Sequence, residues 1–218
     1  MNKGTKVIPR EPRKITYSSE IRKLKNISLT KHQREIVIGS ALGDGCLAPN
    51  WSKTNYCLKI TRSEKQKEYI EWQYENLKPF VLTAPHLYEP THAYTMRTIS
   101  HKEITKLHSI FYKNGKKIMP SVMVKYIKLP LVLAVWFMDD GNAVKWREKV
   151  YGYHLNTQSF TLSENKCIAE MFLDELGIQC TTQMNHGKAR IYIVSKSKDR
   201  FADLIKPFVI SSMRYKLG

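Results

Sequence analysis

An apolar run that closes on an acid and a glycine belongs in a core, and this chain carries one twice. Leu131-Val-Leu-Ala-Val-Trp-Phe-Met-Asp-Asp-Gly141 sets eight apolar residues before two carboxylates and a glycine. Pro130 suits the first position of a helix, and Gly141 suits the position that ends one. The spacing therefore predicts a short, fully buried helix with acids at its C-terminal end. The helix dipole is already negative there, and a bound cation would remove the conflict. Ile36-Val-Ile-Gly-Ser-Ala-Leu-Gly-Asp-Gly45 has the same form. Asp44 matches Asp140, and Gly45 matches Gly141.

The rest of the chain repeats around these two runs. Helix starts fall at Thr30, Ser63 and Ser100, then at Pro130, Ser163 and Ser197. Thr30 with Gln33, Ser63 with Gln66 and Ser100 with Glu103 read as capping boxes. Strands are expected around Cys46–Trp51, Tyr56–Arg62, Val81–Glu89 and Tyr94–Ile99. A second set is expected around Ala143–Val150, Tyr153–Thr161, Ile178–Met184 and Arg190–Ser195. Lys59-Ile-Thr-Arg-Ser-Glu64 resembles Ser159-Phe-Thr-Leu-Ser-Glu164 locally. A period of about 100 residues marks a domain duplication, not a solenoid. The expected class is α+β, in two pseudo-symmetric αββαββα halves at 29–125 and 126–218. Ahead of them lies a basic arm, 1–28, and no periodicity predicts a packed element in Met1–Asn26.

Charge narrows the partners. The chain has 36 basic and 19 acidic residues among 218, for a formal net charge of +17. Such an excess in a small chain points to a polyanion, nucleic acid above all. There is no basic amphipathic helix for a lipid surface and no apolar run of membrane-spanning length, so a membrane is not an expected partner. The cysteines Cys46, Cys57, Cys167 and Cys180 form no C-x-x-C pair, which argues against a zinc ribbon or a dithiol site. They read as reduced core residues of an intracellular protein.

A duplicated unit packs about a pseudo-twofold axis, and Gly39, Ser40 and Ala41 would let the two buried helices approach closely. Asp44 and Asp140 would then meet at one end as two buried carboxylates that repel each other. A hard divalent cation relieves such repulsion. In Tyr56–Arg62, Tyr56, Leu58 and Ile60 alternate with Cys57, Lys59 and Thr61, so one face is apolar and the other polar and basic. Two such sheets would form a groove for a duplex, since strands can enter the major groove. Metals beside a phosphate activate water and stabilise the leaving oxygen. The residues thus lead to metal-dependent phosphodiester hydrolysis, with one acid for each strand.

These paired, acid-ended helices resemble the motifs of the LAGLIDADG homing endonucleases. Trp136-Phe-Met-Asp-Asp-Gly141, Leu155-Asn-Thr-Gln-Ser-Phe160 and Met213-Arg-Tyr-Lys-Leu217 are similar to the single-chain branch typified by the yeast mitochondrial omega-intron enzyme. The likeness runs in order from Thr30 onward. It implies two halves packed through the LAGLIDADG-type helices, with paired antiparallel sheets forming a DNA-binding saddle. It also implies a monomer that cuts both strands of a long asymmetric DNA site across the minor groove, leaving short 3′ overhangs and promoting intron mobility. On the resemblance, Asp44 and Asp140 are the metal-binding acids, with the carbonyls of Gly43 and Asp139 as further ligands to Mg²⁺ or Mn²⁺. Lys117 and Lys216 fall on the basic residues near the scissile phosphates. The motifs end in Gly-Asp-Gly and Asp-Asp-Gly instead of Asp-Ala-Asp-Gly, and both essential acids remain. Strand positions Lys59, Thr61, Arg97, Lys145, Asn156, Gln158, Lys188, Arg190 and Tyr192 are expected to face DNA. Trp51, Trp72, Trp136 and Trp146 are expected to pack in the core or at an interface. The resemblance also admits an RNA maturase acting on its own intron, and organellar residence. A DNA binder without catalysis is disfavoured, because binding alone does not need both acids.

Overall fold

The computed structural model describes residues 18–218. Most of the basic arm, up to residue 17, lies outside the described residues. The part inside corrects the expectation that nothing before Asn26 packs. Ser19–Asn26 is a helix, α1, capped by the Ser18 side chain accepting from the Ile21 N–H. Ile21 is its single buried residue, so its apolar stripe is too narrow to stand out among lysines and arginines.

Each half follows the expected order. In the first, α2 (Lys31–Leu42) leads to β1 (Cys46–Pro49) and β2 (Tyr56–Ser63). Then come α3 (Lys67–Leu77), β3 (His86–Tyr88), β4 (Ala93–Arg97) and α4 (Lys102–Phe111). A small hairpin, β5 (Tyr112–Lys113) and β6 (Lys116–Lys117), and the short helix α5 (Met123–Tyr126) join the halves. The second half runs α6 (Pro130–Asp140), β7 (Gly141–Trp146), β8 (Lys149–Leu155), α7 (Leu162–Leu176), β9 (Cys180–Asn185), β10 (Lys188–Ile193) and α8 (Lys198–Ile205). Both large sheets are antiparallel with the same strand order, β1-β2-β4-β3 and β7-β8-β10-β9. Among the described residues no helix is long and apolar enough to cross a membrane.

Packing divides the chain differently from the repeat. One compact unit takes Asp44–His108 with the described residues up to Val37, and the other takes Ile38–Gly43 with Ser109–Gly218. The small residues of α2 explain why its last turn and a half goes with the second unit. A Cβ on Gly39 would lie 2.6 Å from the Val135 Cβ and 2.8 Å from the Val132 carbonyl oxygen, so α2 touches α6 backbone to backbone at this point. In α6, Leu131–Asp139 are all buried and Pro130 opens the helix, as its apolar run requires. Gly141 does not adopt the left-handed conformation usual after a helix; its φ is −88°. It is needed for space, because a Cβ there would stand 2.1 Å from the Phe137 ring.

Several local expectations are corrected. Thr30 and Gln33 do form a capping box. Ser63 caps nothing with its side chain, and a 3-10 turn at Glu64–Gln66 precedes α3. Glu103 turns away from Ser100 to accept from the Leu29 N–H and to pair with Arg34 at 2.7 Å. A tertiary ion pair wins there over a local cap. Thr161, not Ser163, caps α7, in a full capping box with Glu164. The Ser197 hydroxyl accepts from the Gln179 N–H instead of capping α8. The local likeness of 59–64 to 159–164 is not structural equivalence, since the first lies in β2 and its turn and the second enters α7. Two of the four free cysteines, Cys46 and Cys167, are exposed, not core. Trp136 is buried, but Trp51 is 97% and Trp146 66% exposed, which removes those two from the core.

Candidate metal centre and nucleic-acid face

Both motif helices end on oxygen atoms that already receive a cation. In the second unit the Lys117 ammonium donates to the Gly43 carbonyl at 2.6 Å. The Lys216 ammonium donates to the Asp139 carbonyl at 2.7 Å. The last carbonyls of a helix have no intrahelical partner and carry the negative end of the dipole, so each lysine sits where a positive charge is most stabilised. Lys117 ends β6, and Lys216 ends a 3-10 segment, Ser211–Lys216, anchored by the buried Met213. The two lysines and the two carbonyls expected at the site are thus brought together in matching pairs. Gly43 also lies against Asp139: a Cβ there would stand 2.4 Å from the Asp139 Cβ.

The acids themselves are less buried than expected. Asp139 is the buried one, at 7% exposure, while Asp140 is half-buried. The Asp44 side chain is 52% exposed and pairs at 2.9 Å with Arg62. Arg62 is 2% exposed. Its Nε donates to the Gln73 side-chain oxygen at 3.4 Å, and its guanidinium lies 4.8 Å from the centre of the Tyr69 ring. The sequence reading missed this residue. The signal was present: Arg62 shares strand parity with Leu58 and Ile60, and a charge on an apolar face calls for a partner.

Asn156 and Gln158 are not strand residues, because β8 ends at Leu155. Asn156 instead closes the end of α6, its backbone N–H and side-chain amide both donating to the Asp140 carbonyl at 2.9 and 2.8 Å. Gln158 stands half-buried in the turn after Thr157. The remaining expected face residues lie on strands as predicted. Lys59 and Thr61 are exposed in β2, and Lys59 stands opposite the exposed Arg97 of β4. In the second unit Lys145 and Lys188 are exposed, while Arg190 and Tyr192 alternate with the buried Ala189, Ile191 and Ile193. The Tyr192 ring covers Gly152, where a Cβ would meet it at 2.7 Å. The row also holds His154, bonded to Gln183 at 3.0 Å, which the sequence reading did not single out. Burial holds its imidazole below the ordinary range, with Arg190 adding to the effect and Gln183 opposing it.

Among the described residues no three His, Cys, Asp or Glu side chains cluster as a metal cage. The donor set suits a hard cation all the same. Within the second unit the Asp140 carboxylate and the Gly43 and Asp139 carbonyls are oxygen donors, the ligands that Mg²⁺ and Mn²⁺ prefer.

Residues 34–201 match the family model of the LAGLIDADG DNA endonuclease family. The chain belongs to that family. It is 31% identical over 200 residues to a probable intron-encoded endonuclease 1 of Wickerhamomyces canadensis, covering 87% of this chain and 85% of the relative. It resembles the solved structure of the homing endonuclease I-WcaI bound to its DNA recognition sequence, with a TM-score of 0.84 and 29% identity over 93% of each chain. A cytochrome b mRNA maturase bI2 of Debaryomyces hansenii is 32% identical over 123 residues, 56% of this chain and 45% of that one. Membership in the LAGLIDADG family accounts for the doubled motif and for the shared strand order of the two sheets.

Proposed function

We propose that the chain is a site-specific homing endonuclease. On this reading it hydrolyses both strands of a long asymmetric DNA site in the presence of Mg²⁺ or Mn²⁺, acts as a monomer and leaves short 3′ overhangs. The observation that carries the reading is the matched pair of helix ends, each an acid beside a carbonyl that already binds a lysine ammonium. Asp44 with the Gly43 carbonyl, and Asp140 with the Asp139 carbonyl, would each offer oxygen ligands to a divalent ion. When bound, that ion supplies an activated water and charge neutralisation at the phosphate. Lys117 and Lys216 stabilise the phosphate's developing charge. Asn156 fixes the end of α6 and with it the backbone that carries Asp140. The basic strand faces follow the backbone and present Lys59, Arg97, Lys188 and Arg190 to the bases. Intron mobility and organellar residence follow from the same reading.

A maturase role is the second reading, supported by the likeness to a relative of that name over 56% of the chain. One experiment separates the two. Purified protein is incubated with genomic DNA from an intron-free relative, with Mg²⁺ or with EDTA, and new ends are sequenced. The nuclease reading expects one or a few Mg²⁺-dependent sites with staggered 3′ ends. It also expects Asp44→Asn and Asp140→Asn to lose cleavage while binding survives. No cuts, together with salt-sensitive binding to intron RNA, would favour the maturase. Cleavage by both variants would refute the assigned chemistry.

A further inference from the structure

We infer that Glu164 and Tyr153 are positioning residues for Lys117 and Lys216: each makes one side-chain bond to the backbone just beyond a lysine, and so fixes the stretch of chain from which that ammonium reaches its motif carbonyl. The inference rests on the nuclease reading above.

Both lysines stand where secondary structure runs out. Lys117 is the last residue of β6. The Ile118 N–H still closes the hairpin onto the Phe111 carbonyl at 2.8 Å. The next N–H, on Met119, leaves the hairpin and donates to the Glu164 Oε1 at 2.8 Å. Pro120 follows and carries no N–H, so the Glu164 bond is where the chain after Lys117 is tied down. Lysine keeps a flexible four-carbon stem, and a settled ammonium therefore needs a settled backbone.

Glu164 is itself a fixture. Its Oε2 accepts from the Thr161 N–H and from the Thr161 hydroxyl, both at 2.7 Å. The Thr161 hydroxyl accepts in turn from the Glu164 N–H. This capping box at the start of α7 directs Oε1 to Met119. Burial raises the pKa of the carboxyl, but the Met119 and Thr161 bonds outweigh it and hold the group below its ordinary range. The start of a helix also favours a negative charge.

Tyr153 serves the other lysine. Lys216 is the last residue of its 3-10 segment, and the next carbonyl, on Leu217, accepts from the Tyr153 hydroxyl at 3.1 Å. Tyr153 is 5% exposed. Its ring packs against Phe137 of α6 and Phe201 of α8, each at 5.6 Å between centroids. Burial pushes its phenol up, with Asp199 and Asp203 adding to the effect, so the hydroxyl remains a donor. Phe137 stands two residues before Asp139. The ring that holds the Lys216 segment is thus packed on the helix whose end receives the ammonium. Lys117 belongs to the first half by sequence, yet both supports come from the second half, inside one compact unit.

Reach separates positioning from charge at Glu164. Glu164→Asp keeps a carboxylate at the helix start but falls a methylene short of Met119. Glu164→Gln keeps the length and an acceptor oxygen but loses the charge. Single-turnover cleavage of plasmid bearing the mapped target, with protein in excess, should be slowed in Glu164→Asp and close to wild type in Glu164→Gln, at an unchanged Kd for DNA. Tyr153→Phe removes one oxygen, keeps the ring and should slow cleavage likewise. A misplacement of about 1 Å can cost about 100-fold, and loss of the lysine itself sets the ceiling. Glu164→Asp should therefore add nothing in Lys117→Met, and Tyr153→Phe nothing in Lys216→Met, whereas the crossed pairs should combine in full. Thermal unfolding in EDTA repeats the comparison without metal or DNA: matched pairs should lose less Tm than the sum of their single losses, and crossed pairs the full sum. Equal rates in Glu164→Asp and Glu164→Gln, full multiplication in the matched pairs, or additive Tm losses there would overturn the inference alone. A wild type that cuts no DNA would overturn the nuclease reading, and the unfolding pairs would still decide whether the two lysines are held in this way.

Discussion

Gly39→Ala sets two effects of known size against each other. Gly39 lies inside α2, where alanine is favoured over glycine by about 0.8–1.0 kcal/mol. The added methyl would sit 2.6 Å from the Val135 Cβ, 2.8 Å from the Val132 carbonyl oxygen and 2.9 Å from the Val135 Cγ1. Carbon atoms prefer roughly 3.5–4.0 Å, so the elements must part by about 1 Å. One of the atoms met is backbone, which no rotamer change can move. Overpacking of this kind costs about 1–3 kcal/mol, and a backbone clash belongs at the upper end. The balance is a loss of about 2 kcal/mol, or about 4–8 °C in Tm for a chain of this size. Thermal unfolding in EDTA measures it. Val135→Ala in the same chain removes the Cγ1 contact and leaves the other two, so its rescue should be partial. A Gly39→Ala variant as stable as wild type, or more so, would refute the close approach of α2 and α6.

Lys117→Met and Lys216→Met should each slow cleavage by roughly 10–100-fold with little change in DNA affinity; strand-resolved rates beside a binding isotherm test this, and a parallel loss of affinity would reduce both lysines to backbone contacts. Trp51 and Trp146, at 97% and 66% exposure, should dominate acrylamide quenching of fluorescence, and bound DNA should shield them; if single Trp→Phe variants leave the shielding unchanged, the hairpin tips do not touch DNA. Burial pushes the imidazoles of His108 and His154 below their ordinary value of 6.5. A base with a lowered folded pKa contributes stability above its unfolded pKa and loses it as pH falls through the folded one. Urea midpoints should therefore decline as pH drops below about 6.5, and His154→Gln should flatten part of the decline; a midpoint constant to pH 5 would contradict it.

The fold was legible because its strongest signals are collective. An apolar helix ending in acid and glycine appears twice, and strand alternation such as that around Lys59 and Thr61 fixes which side chains turn outward. What stayed hidden depended on partners distant in sequence. Glu103 looks like a cap until Arg34 and Leu29 claim it. Asn156 looks like a strand residue until the Asp140 carbonyl receives its amide. The acids were expected to be buried because their helices are, yet burial ends one residue early, at Asp139. Arg62 carried a readable sign, a charge in an apolar register, but only the structure names Asp44 as its answer. Gly141 was read as a helix stop; it instead holds space for Phe137, as Gly43 does for Asp139.

The outward strand side chains also bear on how such a protein persists through descent. Lys59, Thr61 and Arg97 point away from their own core, and exchanges at exposed positions of this kind usually move stability by no more than about 0.5 kcal/mol. Leu58, Ile60 and Met96 between them are buried, and truncating such residues typically costs about 2–5 kcal/mol. On the proposed reading, recognition can therefore drift along one parity of each strand while the scaffold is kept on the other. A homing endonuclease of the proposed kind could then follow a mutating host sequence through single, nearly neutral exchanges, without first acquiring spare stability.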